Sequence, residues 1–258
     1  GILTGILAEE GTPPELIDSE DERTIENCRL GLEQRRFAAR FDRLLANSTD
    51  SATCLLYGLD AADRQRLTGT VTICPPLIGA DRWSGLAAEP VALEPARQRL
   101  LFVGRLVRHK GVLELLDLFE ALAHALPGLA LDLVGGPSAG RYVDAVRERA
   151  AAIAEGAGPV SIHHGISDGA LKYLYEAATA AITLTRHEGF CVPALDALAF
   201  NKPIFAPPLP AIREVLGGAG FELPLDAPDA AAAIIASTLA DDTTLASRLE
   251  RGRQRFAE

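Results

Sequence analysis

The sequence predicts an α/β protein built on a parallel sheet with helices on both faces. From about residue 100, short strand-like runs alternate with helical patterns, the order that produces such a sheet. The first of these runs, Leu101, Phe102 and Val103, ends in a glycine turn at Gly104, and the next helix carries one apolar stripe at 3.6-residue spacing. With 258 residues, 48% of them hydrophobic, the chain is long enough for one large or two modest domains and too apolar for intrinsic disorder.

From the start of the chain, the Ser19-x-x-Glu22 capping box opens a predicted helix over 22–40. FDRLLANS (41–48) reads as a strand, followed by a second helix and the strand TVTIC over 70–74. The stretch from Ser84 to Gln98 has prolines, alanines and no strand pattern, which marks a boundary between two domains, 1–90 and 91–258. In the second domain Val112, Leu115, Leu116, Phe119, Leu122 and Leu126 form the helical stripe, stopped by Pro127 and Gly128. LALDLV (129–134) is the next strand, followed by the loop GGPSAG and a charged amphipathic helix from Arg141 to Glu155. VSIHHG (160–165) is a strand, Ser167 caps a helix with Leu171, Leu174 and Tyr175 on one face, and AAITLT (180–185) is another strand. After His187 and Glu188 the chain turns through Gly189 and Phe190 into a short helix with Pro193 in its first turn. KPIFAP (202–207) is the last clear strand, and two helices near 228–239 and 243–257 come after it.

The charge balance is acidic, 35 Asp and Glu against 25 Lys and Arg for a net of −10. This excludes the broad electropositive face of a general nucleic-acid binder, so any anion site must be local. No apolar run approaches the roughly 18 residues that span a bilayer, and no basic segment precedes an apolar one at the start. The sequence therefore reads as soluble and intracellular. Cys28, Cys54, Cys74 and Cys191 are widely spaced with no C-x-x-C pair, which argues for reduced core thiols and against a zinc knuckle or dithiol redox site. His163 and His164 are adjacent, and neighbours on a strand point to opposite faces, so no shared metal is expected. The chain contains no methionine and reads as a processed, excised or incomplete polypeptide.

In an open parallel sheet, ligands bind at the carboxyl ends of the strands, which selects the loops after residues 104, 134, 165 and 185. In GRLVRHKG, Arg105 and Lys110 place a planar fork and a point charge around one strand-to-helix turn, a pairing suited to a phosphate or diphosphate. Cations at a helix N-terminus are unfavourable by a few tenths of a kcal/mol, which an anion bound there would offset. The alternative is two solvated surface cations. In HEGFCVPALDALAF, Glu188 in the loop and Asp196 eight positions later frame a helix start. Its first-turn amides can cradle a phosphate, with Glu188 reaching past it to a polar group beyond. The alternative is a capping Glu188 and a surface Asp196, both solvated. GGPSAG lacks both the G-x-G-x-x-G spacing and the G-K-[ST] of a P-loop. Cys191 beside Phe190 reads as a small residue filling a tight turn rather than a nucleophile.

These residues resemble the donor-binding domain of the retaining GT-B glycosyltransferases of family 4, the group 1 family. The likeness rests on GRLVRHKG (104–111), ISDGALKYLYEAA, the EGFCVPALDALAF block with its acidic pair eight apart, and PAIREVLGGAGF (210–221), in that order over about residues 99 to 225. More faintly, FDRLLANSTDSATCLLYG followed by VTICPPLIGADRW resembles the end of that family's N-terminal domain, just before the interdomain linker.

The resemblance implies a GT-B α/β fold, with a Rossmann-like donor domain over 91–258 and a remnant of a second, acceptor-side Rossmann-like domain and linker over 1–90. It implies transfer of a hexose from a nucleotide diphosphate sugar to an acceptor hydroxyl of a glycan, a lipid-linked acceptor or a protein, with the anomeric configuration retained. Arg105 and Lys110 would bind the donor diphosphate and stabilise the leaving group in place of a metal, with no cofactor. Glu188 would bind hydroxyls of the transferred sugar, helped by Gly189, Phe190 and Cys191, and Asp196 would hold the ribose hydroxyls. The base would lie near Gly165 and Ile166, and Gly104, Val192 and Leu195 complete the expected donor site. The family normally has Glu where this chain has Asp196, and nothing before Asp42 matches its glycine-rich loop or acceptor-side histidine, so the chain reads as a GT-B core trimmed at both ends. A lipid-linked acceptor would draw a cytoplasmic enzyme of polysaccharide biosynthesis to the inner face of the membrane. Two other readings share the fold: a non-catalytic nucleotide-sugar-binding or scaffolding module, and a sugar-nucleotide epimerase.

Overall fold

The computed structural model describes residues 41–57, 59, 61–76, 78, 82–135 and 140–257. The expected helix over 22–40 with its capping box, Cys28, and residues 136–139 of the glycine-rich loop lie outside them. The chain divides into two compact units between Leu77 and Ile78, earlier than the boundary at 90 that composition suggests. The physical reason lies in Trp83, which is buried in the apolar core of the second unit.

In the first unit, β1 (Leu44–Ala46) and β2 (Val71–Ile73) pair in parallel, Leu44 opposite Val71. The crossover between them holds two helices, α1 (Thr49–Tyr57) and α2 (Ala61–Thr68), where the sequence suggests one. Ser48 opens α1, its hydroxyl accepting from the Ser51 amide at 3.0 Å. Leu67 of α2 is buried. Cys74, just past β2, is exposed and Cys54 only half-buried, so the expectation of core thiols is corrected at both. A three-residue strand in a two-stranded sheet has too little cover to bury the residue just beyond its end.

The second unit carries six parallel strands. In chain order its elements are β3 (Gln98–Val103), a single 3-10 turn (Arg108–Lys110), α3 (Val112–Ala125), β4 (Leu129–Val134), α4 (Arg141–Gly156) and β5 (Val160–His163). Then come α5 (Asp168–Ala177), β6 (Ala180–Ile182), α6 (Val192–Ala199), β7 (Ile204–Ala206), α7 (Pro210–Leu216), β8 (Phe221–Glu222), α8 (Pro228–Leu239) and α9 (Asp242–Ala257). The spatial order is β5-β4-β3-β6-β7-β8. The chain builds outward from β3 to β5, then crosses back to lay β6 against the other edge of β3. Loops leaving β3 and β6 therefore diverge at the switch point, where parallel α/β sheets open a ligand crevice.

Successive strand residues point to opposite faces, so each strand feeds two cores. Leu100 and Phe102 of β3 and Leu131 and Leu133 of β4 pack against Leu115, Phe119 and Leu122 of α3, with Val146 of α4 and Ile235 of α8. Leu101 of β3 and Ala181 of β6 face the other way, against Leu174 and Tyr175 of α5, Ala194 and Leu198 of α6 and Ile212 of α7. Each fully buried Leu or Phe contributes about 1.5–3 kcal/mol, so both faces of the sheet are strongly held. The helical stripe expected from Val112 onward is the buried face of α3. The sheet also gains an edge strand, β8, beyond the last one the sequence makes legible.

Candidate functional site

The loop after β3 descends through Gly104 and Arg105, plugs the core with the buried Leu106, and tightens into the 3-10 turn that carries Lys110. Gly111 then enters α3 with φ 64, in the left-handed region. The loop after β6 is stitched to this turn by backbone and hydroxyl groups. The Arg186 amide donates to the His109 carbonyl at 2.7 Å, and the Thr185 hydroxyl lies 3.2 Å from the same carbonyl and 2.9 Å from that of His187. This stitching brings together two residues that the sequence separates by 78 positions. Lys110 Nζ lies 2.5 Å from Glu188 Oε1, with the two side chains only 15% and 10% exposed. Arg105 is exposed, its carbonyl accepting from the Val107 amide at 3.0 Å.

His109, the residue before Lys110, is half-buried. Its imidazole is pushed down from 6.5 to about 4, first by burial and then by the charge of Lys110, with Arg105 and His187 adding to it. The native state keeps it neutral while the unfolded chain binds a proton below 6.5, so its contribution to stability is lost as pH falls from 6.5 towards 4. His109→Gln is expected to flatten that limb of the stability curve, measured by urea denaturation at fixed ionic strength. An unchanged slope would rule His109 out as its source.

The start of α6 lies next to Glu188. Cys191 is its N-cap, buried, with φ 68, a left-handed conformation that a non-glycine residue adopts only under constraint. Burial pushes its thiol up to about 12, with Glu188 adding to the shift, so it offers no thiolate at neutral pH. Pro193 falls in the first turn, where its missing N–H costs no helix hydrogen bond. Val192, Leu195 and Phe190 are half-buried, the last two against the core on this face of the sheet. Gly165, with φ 60, and Ile166 follow β5, two strands from β3 and so about 10 Å along the same carboxyl edge.

The two acidic residues of the block have different partners. Glu188 meets Lys110, whereas Asp196 sits inside α6, 3% exposed, with Arg82 Nη1 at 3.1 and 3.0 Å from its two oxygens and Trp83 Nε1 donating to Oδ1 at 3.1 Å. Burial raises its carboxyl above the usual range, and Arg82 and Trp83 act against that rise. Neither carboxylate is the solvated surface group of the bland alternative. Sequence reasoning did not single out Arg82 and Trp83; the signal was their place in VTICPPLIGADRW, an Arg-Trp pair at the end of a segment with no other use for it.

The adjacent histidines part as strand geometry requires. His163 Nε2 meets Asp132 Oδ1 at 2.6 Å and His164 Nδ1 meets the Gly135 carbonyl at 3.1 Å. Among the described residues no group of three or more His, Cys, Asp or Glu side chains is arranged to hold a metal ion.

The sequence profile of the family described as "Glycosyl transferases group 1" matches residues 88–255. The chain belongs to that family. Among relatives of this group 1 glycosyltransferase chain is the D-inositol 3-phosphate glycosyltransferase of Actinosynnema mirum, 30% identical over 184 residues that cover 67% of this chain and 42% of that protein. Solved structures of α,α-trehalose-phosphate synthases (UDP-forming) share its architecture. The enzyme from Burkholderia xenovorans, in complex with glucose-6-phosphate, gives a TM-score of 0.71 at 15% identity over 91% of this chain and 60% of that chain. The one from Burkholderia vietnamiensis gives 0.70 at 13% identity over 92% and 60%. At such identities the likeness establishes the fold, an α/β architecture of the GT-B type. The chain spans about two fifths of the inositol phosphate glycosyltransferase and three fifths of the synthases.

Proposed function

We propose that this chain carries the donor site of a retaining, metal-independent glycosyltransferase that takes a hexose from a nucleotide diphosphate sugar. The observation that carries the reading is the Lys110–Glu188 pair at the switch point, with the exposed Arg105 on the same turn. A half-buried lysine paired to a carboxylate is a ready anion site, because an arriving diphosphate offers Lys110 a charge-assisted partner and releases Glu188 to accept hydrogen bonds from sugar hydroxyls. Arg105 and Lys110 would then face the diphosphate oxygen on which charge develops. The bond from the anomeric carbon to that oxygen breaks, the acceptor hydroxyl oxygen bonds to the same face of the carbon, and the hydroxyl proton leaves with the nucleoside diphosphate. Stabilising the developing charge is the step in which two positioned cations contribute most, and they supply the positive charge a metal would otherwise bring.

Family membership supports glycosyl transfer, and the complex of a structural neighbour with glucose-6-phosphate favours an acceptor bearing a sugar hydroxyl. The base would sit along the carboxyl edge by Gly165 and Ile166. Among the described residues no helix is long and apolar enough to cross a membrane. For a lipid-linked acceptor, we infer peripheral contact at the cytoplasmic face.

Calorimetric titration with a panel of nucleotides and nucleotide sugars, without added metal, tests the site. One nucleotide family is expected to bind at micromolar Kd, and Lys110→Ala or Glu188→Ala to weaken the sugar nucleotide by roughly 10- to 150-fold, the loss of one charged hydrogen bond. Unchanged affinity in both variants would overturn the assignment.

A further inference from the structure

The helix α3 cannot cap its own start. Its N-cap is Gly111, which has no side chain to accept from the first-turn amides and takes φ 64. No larger residue fits there, because a Cβ would meet the Leu184 carbonyl. A helix leaves its first N–H groups without partners of its own, and Val112, which opens α3, is fully buried. The missing acceptor comes from 30 positions further along the chain. The Tyr142 hydroxyl, in the first turn of α4, lies 3.2 Å from the Val112 amide and 3.4 Å from the Leu113 amide and accepts from both. Its half-buried ring lies against the 3-10 turn, with the Arg108 guanidinium 5.9 Å from the ring centroid. Burial raises its phenol above the ordinary value, so the oxygen facing the two amides is a neutral acceptor at neutral pH.

The start of α3 is therefore held from two sides. From one, the loop after β6 meets it through the Leu184 carbonyl at Gly111 and the Arg186 amide, which donates to the His109 carbonyl at 2.7 Å. From the other, Tyr142 fixes the amides of Val112 and Leu113 and lays its ring beside Arg108. Lys110 stands between Arg108 and Val112, both of which Tyr142 contacts. The phenol also takes up amides that would otherwise draw an anion to the helix start, which leaves the diphosphate to Lys110 and Arg105. We propose that Tyr142 is a positioning residue for the donor diphosphate, its hydroxyl holding the start of α3 so that Lys110 keeps its place beside Glu188. The inference rests on the donor reading above and adds to it a residue that acts on the ligand only through Lys110.

The test compares affinities for uridine and guanosine diphosphates in the unaltered chain, Tyr142→Phe, Lys110→Ala and the double variant, well below each melting temperature. Tyr142→Phe keeps the ring and deletes the acceptor, and is expected to weaken the nucleoside diphosphate that binds by roughly 3- to 30-fold. In the Lys110→Ala background the same change should cost less than about 2-fold, because the residue through which it acts is gone. An equal loss in both backgrounds would mark a general structural effect, and no loss in either would mean that the turn holds without the phenol; each result overturns the inference. Hydrogen exchange at the Val112 and Leu113 amides gives a reading that needs no ligand, with faster exchange expected in Tyr142→Phe. Unchanged exchange there would independently overturn the role of the hydroxyl. Should Tyr142→Phe fail to fold, Tyr142→3-fluorotyrosine, a weaker acceptor of nearly the same shape, takes its place and should show a smaller loss of the same pattern. If the unaltered chain binds neither nucleotide, the donor reading fails, whereas binding that Tyr142→Phe leaves intact refutes this inference alone.

Discussion

Asp132→Ala is expected to cost about 3–5 kcal/mol of folding stability, the penalty for leaving a buried charge without its partner. Asp132 sits in the middle of β4, fully buried, where it accepts a hydrogen bond from the buried Arg99 guanidinium of β3 and faces His163 Nε2 of β5 at 2.6 Å. Arg99 spends its other terminal nitrogen on the Glu94 carbonyl at 2.6 Å, so no second carboxylate among its bonds stands ready to replace Asp132. For a chain of this size the melting temperature should fall by roughly 6–20 °C. Urea denaturation of Asp132→Ala, Asp132→Leu, Arg99→Met and the double variant Arg99→Met/Asp132→Leu checks the cause. Replacing both charges by apolar groups of similar volume should recover most of the loss, and the shortfall from additivity measures the pair. A loss below about 1 kcal/mol in Asp132→Ala, as in an exposed pair, would show that Arg99 finds compensation elsewhere.

Asp132 also shows where reading the sequence stops. LALDLV declares a strand through its apolar residues, and the carboxylate in its midst was the one sign of a buried charge. Its partners lie 33 residues back and 31 forward, and only the sheet order places them on adjacent strands. The same limit separates the parts of the candidate site. Lys110 and Glu188 each stand out at the end of a strand followed by a helix, so their places on the carboxyl edge were legible. Their contact was not, because it depends on β6 crossing back to lie against β3. Asp196 shows a related limit. A residue inside a helix follows the helix face, and its contacts there, Arg82 and Trp83, lie 114 and 113 positions away. The shortest element escapes pattern altogether. β8 has two residues, below the length at which alternation can be counted. By contrast α3, with fourteen residues and a continuous stripe, was unambiguous.

Gly111→Ala is expected to cost about 2–5 kcal/mol, combining a left-handed alanine with forced overpacking. The position has φ 64, and a Cβ there would collide with the Leu184 carbonyl oxygen, with the carbonyl carbon 3.0 Å away. The obstacle is backbone, so no rotamer change relieves it. The loop after β6 must move away from the turn after β3, breaking the Arg186 amide to His109 carbonyl bond at 2.7 Å and drawing Glu188 away from Lys110. Stability and donor binding should therefore fall together, whereas Lys110→Ala should lower binding with a smaller loss of stability, because it leaves the backbone contacts between the two loops in place. Gly156→Ala serves as the control. It ends α4 with nothing within 4 Å of the added carbon, so the better helix former should leave the protein unchanged or more stable by up to about 1 kcal/mol. Thermal denaturation beside calorimetric titration separates the two effects. A Gly111→Ala protein that melts normally would mean that the two loops yield to each other, and the close approach at Leu184 would then not be what sets the distance between Lys110 and Glu188.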